Sequence, residues 1–145
     1  MTTARDGHDA PAPIACENPS IRSQIQAALD PSGEGRPWAA VLVTNRVEGD
    51  SRVLKTAQSV SGLGYRTVIF GRSYKPRTHR YIDIAGQPVI LVGTESWKPT
   101  ESVDEWRRRL TTLAADTLAL AGHVPWALVY SHDPFALPPA QALVR

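Results

Sequence analysis

Two short polar clusters hold the residues best suited to chemistry. The first, Asn45-Arg46-Val47-Glu48-Gly49-Asp50-Ser51-Arg52, gathers an amide, carboxylates, cations and a glycine into one turn of chain. From it, Asn45, Glu48, Gly49, Asp50 and Arg52 are candidate substrate-binding residues. The second, Ser131-His132-Asp133-Pro134, sets an imidazole beside a carboxylate. A histidine titrates near neutrality, so it can relay a proton or donate a hydrogen bond to a substrate hydroxyl, and His132 and Asp133 are the catalytic candidates. A third segment, Arg72 to Arg80, holds four cations and no acid. Arg72, Lys75, Arg77 and Arg80 are its candidate anion-binding residues, for a phosphate-bearing acceptor or an anionic membrane. Each cluster also has a plain structural reading: His132 and Asp50 as helix caps, Gly49 as a turn glycine, the basic segment as a solvated loop.

The elements that must position these residues read clearly. Ala39 to Thr44 and Thr67 to Phe70 are apolar without alternation, as in parallel strands buried on both faces. Between them Asp50 is a good N-cap, Val53, Leu54, Ala57, Val60 and Leu63 share one face at helical spacing, and Gly64 suits a left-handed helix end. A βαβ unit follows, with the loop over 45–49 at the carboxyl edge of the sheet, where open α/β folds bind ligands. Tyr81 to Ile84 and Pro88 to Val92, joined by Ala85-Gly86-Gln87, read as a hairpin or two edge strands, and Pro88 argues against a central position. Ser102 and Glu105 form a capping box, after which Val103, Trp106, Leu110, Leu113, Thr117 and Leu120 line one face of a long helix ended by Gly122 and Pro125. Arg107-Arg108-Arg109 reads as the wet face of that helix. The strand over 127–130 then delivers His132 and Asp133 to the same edge as the first loop, and Pro138 opens a last helix with Ala140, Leu143 and Val144 for packing.

The whole chain bounds these readings. With 145 residues, 42% hydrophobic and 21% charged, one well-packed domain is expected. Residues 1–37 read as a flexible N-terminal segment containing a short helix over 20–29, and residues 38–145 as the α/β domain. The net charge of +2 is too small to indicate a nucleic-acid partner; residues 1–36 carry three cations and five acids, which leaves +4 on the remainder and makes the folded part mildly basic. One cysteine, Cys16, excludes an internal disulfide and a cysteine zinc site and suits a reducing cytoplasm. No apolar run reaches membrane-spanning length and no signal peptide is evident. Gly62 and Gly64 follow the first long helix, whereas a dinucleotide fingerprint needs glycines before it. A Walker loop, a serine nucleophile elbow and metal-ligand spacing are absent, so no cofactor or metal is expected.

Taken together, Asp50-Ser51-Arg52-Val53-Leu54, Ala57, Leu63, Gly64-Tyr65, Thr67-Val68 and Tyr130-Ser131-His132-Asp133 with Leu137-Pro138 make a linked pattern. It resembles the amino-terminal half of GT-B glycosyltransferases, particularly retaining enzymes of glycosyltransferase family 4. The resemblance covers residues 38–145. It implies a Rossmann-like α/β domain with a parallel sheet and flanking helices, binding a sugar or lipid-linked acceptor opposite a second domain that binds a nucleotide-sugar donor. By that comparison the loop over 45–50 faces donor phosphates or acceptor, and His132 contacts the sugar near the reacting centre. Tyr130 stands where the family pattern has its first histidine. The donor domain and its paired glutamates have no counterpart, and the resemblance implies a domain that stops before its last strands. A partner polypeptide would then supply the donor half, with the chain inactive alone and cytoplasmic, peripheral at the inner face of the membrane. Two rivals remain open: a non-catalytic interaction or regulatory module, and a small nucleotide-binding or flavodoxin-like protein.

Overall fold

An apolar run with no polar alternation is stable only where both faces are covered. In the computed structural model, which describes residues 18–33, 35–75, 78–94, 98 and 101–144, the run after Pro37 becomes β1 (Trp38–Leu42), buried at every position. Arg77 and the N-terminal run over 1–15 lie outside the described residues. Helix α1 (Pro19–Ala28) precedes β1, with the Asn18 side chain accepting from the Ser20 N–H, one residue from the expected start. Asp50 caps α2 (Ser51–Gly62) as expected, and Gly64 takes φ +97° just beyond it. There follow β2 (Arg66–Ser73), β3 (Arg80–Ile84), β4 (Gln87–Gly93), α3 (Val103–Ala121), β5 (Trp126–Ser131) and, after a 3-10 turn at Pro134–Ala136, α4 (Leu137–Leu143).

The five strands form one sheet in the order β3-β4-β2-β1-β5. β1 pairs in parallel with β2 and β5, and β2 with β4, while β3 runs antiparallel on the outer edge of β4. This is a Rossmann-like α/β sheet. Val53 and Ala57 of α2 pack with Val41, Ile69, Val89 and Leu91 on one face. Ile25 of α1, Leu113 and Ala121 of α3, and Ala140 and Leu143 of α4 cover the other, around Trp38, Leu42 and Phe70. The register of β5 on β1 skips Ala127, and Trp126 turns into this second core, edge-on to Trp38 and Phe70 at 5.7 Å, with its indole N–H on the Ala121 carbonyl. From β1 the chain steps outward through β2 to β4, then returns to lay β5 on the far side of β1. That reversal is a topological switch point, and it lies between β1 and β5.

Several expectations need correction. Pro88 does not keep its strand at an edge, because β4 lies between β3 and β2; the parallel ladder to β2 starts only at Val89, so the missing N–H costs no bond to β2. The turn over Ala85-Gly86 has positive φ at both residues, the geometry of a two-residue hairpin, and its Gly86 N–H is held by Asp83. Arg72 and Ser73 are not loop residues: β2 continues through both, paired with Val92 and Gly93, and buries them. Leu63 points to solvent where α2 ends, Val103 and Val144 are likewise exposed, and α4 begins at Leu137 rather than Pro138. The capping box of α3 is formed in both directions between Ser102 and Glu105. Arg109, however, is not on the wet face; its side chain is 14% exposed and pairs with Glu101, itself 7% exposed.

Candidate functional site

At the carboxyl edge of β1 the chain has to turn away from the sheet, and its first polar side chains organise that turn. Asn45 accepts the Val47 N–H at 2.7 Å through Oδ1 and donates to Asp50 at 2.8 Å through Nδ2. Asp50 also accepts from the N–H groups of Arg52 and Val53, so one carboxylate closes the loop and starts the helix. The hydrogen bond from Asn45 is the main reason its pKa lies below the ordinary value. Val47 sits inside this loop at φ +67°, a left-handed conformation that a β-branched residue rarely adopts, and is completely buried. It fits because Gly71 beneath it has no side chain: a Cβ there would come within 2.5 Å of the Val47 methyl and 2.8 Å of the Asn45 carbonyl oxygen. That carbonyl accepts the Arg72 N–H at 2.7 Å. Gly49, at φ +79°, is exposed with open space around it.

Across the switch point, the His132 N–H donates to the Leu42 carbonyl at 2.8 Å and extends the β1–β5 pairing past the strand. Asp133 caps the 3-10 turn through the Ala136 N–H and takes both the N–H and the hydroxyl of Thr44. Its carboxylate is thereby committed to three donors, a positioning arrangement that brings the two predicted clusters side by side. His132 lies half-buried, its ring 6.2 Å from that of Tyr130, and its Nδ1 is buried without a hydrogen-bond partner among the described residues.

Beside the loop over 45–52 lies a cationic group built on Tyr74. The guanidinium of Arg46 stands 4.6 Å from the Tyr74 ring centre, and that of Arg72 at 4.7 Å. Burial pushes the Arg72 pKa down, opposed by a hydrogen bond with Tyr74 and the charge of Asp133, and Arg109 adds a further like charge. Two cavities share this Arg46–Tyr74 wall. One, of about 540 Å³, is lined by Asn45, Glu48, Gly49, Asp50, Ser51 and Arg52; the other, of about 370 Å³, by Ser73, Lys75, Thr78, Arg80 and Leu91.

The structure thus groups all five predicted substrate-binding residues at one cavity and places Lys75 and Arg80 at its neighbour. Arg72 lies behind them, buried in the sheet. Thr44, Tyr74, Glu101 and Arg109 were not foreseen. Tyr74, one position beyond Arg72-Ser73 in a basic run, carried a usable signal; the others did not, because their roles depend on partners distant in sequence. Among the described residues no group of three or more His, Cys, Asp or Glu could hold a metal ion, and no helix is long and apolar enough to cross a membrane. No protein-family model matches the chain, and no curated protein or solved structure matches it.

Proposed function

We propose that the chain is the acceptor-side domain of a retaining GT-B glycosyltransferase, holding a sugar or lipid-linked acceptor in the switch-point crevice opposite a domain that binds a nucleotide-activated sugar. The observation that supports this reading is the junction at Thr44, which sets the Asp50-Ser51-Arg52-Val53 helix start beside the Tyr130-Ser131-His132-Asp133 strand end. In this reading His132 meets an acceptor hydroxyl, Asp133 positions it by fixing the strand end, and Glu48, the Gly49 backbone and Arg52 line the approach. Asn45 and Asp50 act on the ligand indirectly, by holding the loop.

Titration of the isotope-labelled chain with saccharides, nucleotides and nucleotide sugars, followed by NMR, tests the proposal. Saccharides are expected to shift resonances over 45–50 and 131–133, with loss of the effect in His132→Ala. Nucleotide sugars are expected not to saturate the chain by itself. Tight nucleotide-sugar binding or turnover by the chain alone would remove the division of labour on which the reading rests.

A second reading, an interaction module, draws on one feature: Tyr130 on edge strand β5, and Phe135 and Leu137 just beyond it, are each more than 40% exposed. A partner that protects these residues from exchange, with no saccharide response at His132, would favour it.

A further inference from the structure

The two edges of the sheet are built differently. At one edge β3 exposes Arg80 and Asp83, charges that oppose the addition of a further strand. At the other, β5 reads Trp-Ala-Leu-Val-Tyr-Ser, with neither charge nor proline. From Val124 to Val144 the one formally charged side chain is Asp133, which Thr44 holds. The irregularity in the β1–β5 register lies before Leu128, so Leu128 to Ser131 runs evenly beside Ala39 to Leu42. This stretch also has an uncovered face. Val129, level with Ala40, packs into the core under α3 and α4. Leu128 and Tyr130, level with Ala39 and Val41, lie on the α2 side, and neither is part of the α2-side core among the described residues. Tyr130 is 43% exposed.

Backbone groups along a strand turn to alternate sides with a period of two. Since the His132 N–H donates to the Leu42 carbonyl, Tyr130 and Leu128 also turn theirs towards β1, and Val129 and Ser131 turn theirs to the open side. We infer that this edge receives β5 of a second copy of the chain, antiparallel, about a two-fold axis through Val129 that joins the two sheets into one. The outward groups set that register. Val129 exchanges both backbone hydrogen bonds with its own duplicate, and Leu128 lies opposite Tyr130 of the second copy on the α2 side, twice per dimer. An axis through Leu128 or Tyr130 would oppose groups already bonded to β1, an axis between residues would oppose side chains of different faces, and one through Ser131 would run the copy past the end of the strand. Charge favours a copy as the occupant. A two-fold brings each residue near its duplicate, which like charges forbid, and this edge carries none. α4, packed on β5 and α3, exposes Leu137, Gln141 and Val144 at helical spacing, so its approach to the copy meets no like charge either. The assembly closes as a dimer because the charged β3 is left at both outer edges. It gives the exposed residues of β5 a partner and does not depend on the acceptor reading.

Sedimentation velocity over a concentration series, with amide exchange followed by NMR on the same samples, tests the assembly. The mass is expected to rise from 15.8 kDa towards twice that value. In step with it the amides of Val129 and Ser131 are expected to gain protection, while those of Tyr130 and His132, bonded to β1, stay protected at every concentration. Tyr130→Lys, at an exposed position, is expected to weaken association about ten-fold without changing the circular dichroism spectrum, because two cross-strand pairs are lost per dimer. Mixing Tyr130→Lys with Leu128→Glu chains is expected to restore association, since the register sets those two positions opposite each other. A mass fixed at 15.8 kDa would overturn the proposal, and protection of Val129 and Ser131 in that monomer would assign the edge to another segment of the same chain. Association that leaves both amides in fast exchange, or that Tyr130→Lys does not weaken, would place the contact on another surface and overturn it equally.

Discussion

Thr44 donates both its backbone N–H, at 2.8 Å, and its hydroxyl, at 3.0 and 3.1 Å, to the carboxylate of Asp133, 89 residues further along the chain. This junction ties the end of β1 to the end of β5 at the point where the sheet reverses direction, and it sets the distance between the two candidate clusters.

Asp133→Ala should therefore act on stability as well as on any ligand response. It removes a charged acceptor from three donors and leaves the Thr44 N–H unpaired, at a cost of about 3 kcal/mol. Thr44→Val keeps the backbone bond and should lose only about 1 kcal/mol. Urea midpoints at unchanged slope measure both, and equal losses from the two variants would contradict a junction centred on the carboxylate.

The bond between Asn45 and Asp50 gives a signed pH effect. Because the folded pKa of Asp50 is depressed below 3.8, its contribution is fully present above that value and is lost as pH falls through the lower folded one. Asn45→Ala removes the largest cause of the depression. The variant should be less stable at neutral pH by about 1–2 kcal/mol and should show a shallower acid slope. A parallel pair of stability curves for variant and parent down to pH 3 would rule out this coupling, on the scale of ordinary carboxylate titration.

Gly71→Ala should be a strongly damaging small change in the sheet. The added methyl would meet the Val47 methyl at 2.5 Å and both the Asn45 carbonyl oxygen and a Leu91 methyl at 2.8 Å. Overpacking of this kind costs about 3 kcal/mol, and here the displaced group is the floor of the crevice loop. Resonances over 45–50 should shift even in the absence of ligand; an unchanged spectrum with unchanged stability would show that the loop tolerates the volume.

Much of this architecture was legible because its signals are local. Asp50 capping α2, the reciprocal Ser102–Glu105 box and the left-handed Gly64 each need only residues a few positions apart. The unbroken apolar run of β1 likewise announces burial on both faces. What escaped depends on partners far along the chain. Arg72 reads as a loop cation until β4 is laid beside β2, and Arg109 looks solvated until the segment before α3 brings Glu101 over it. Leu63 fits the helical stripe of α2, yet the helix ends before its turn reaches the sheet. The two site clusters were foreseen at one edge, whereas the Thr44 bridge that joins them has no signature in sequence spacing.

His79 offers a further pH test. It is 2% exposed, and its Nδ1 accepts the Gly93 N–H at 3.0 Å, which requires that nitrogen to be unprotonated. Desolvation pushes its pKa down from 6.5 to about 4. The unfolded chain thus binds the proton more readily: stability is level above pH 6.5, falls between 6.5 and about 4, and loses about 3 kcal/mol in total. His79→Asn keeps an oxygen acceptor for Gly93 and removes the titration. Subtracting its stability curve from that of the parent should leave that single slope, and a flat difference would show that His79 protonates without penalty.

The left-handed Val47, locked between its own loop and Gly71, also bears on kinetics. A loop seated during folding has no separate open form from which ligand must recruit it, so capture at the crevice should be a single bimolecular event. Stopped-flow relaxation rates should rise linearly with ligand concentration and show no plateau. The conformational strain at one valine would then appear as promptness in the encounter.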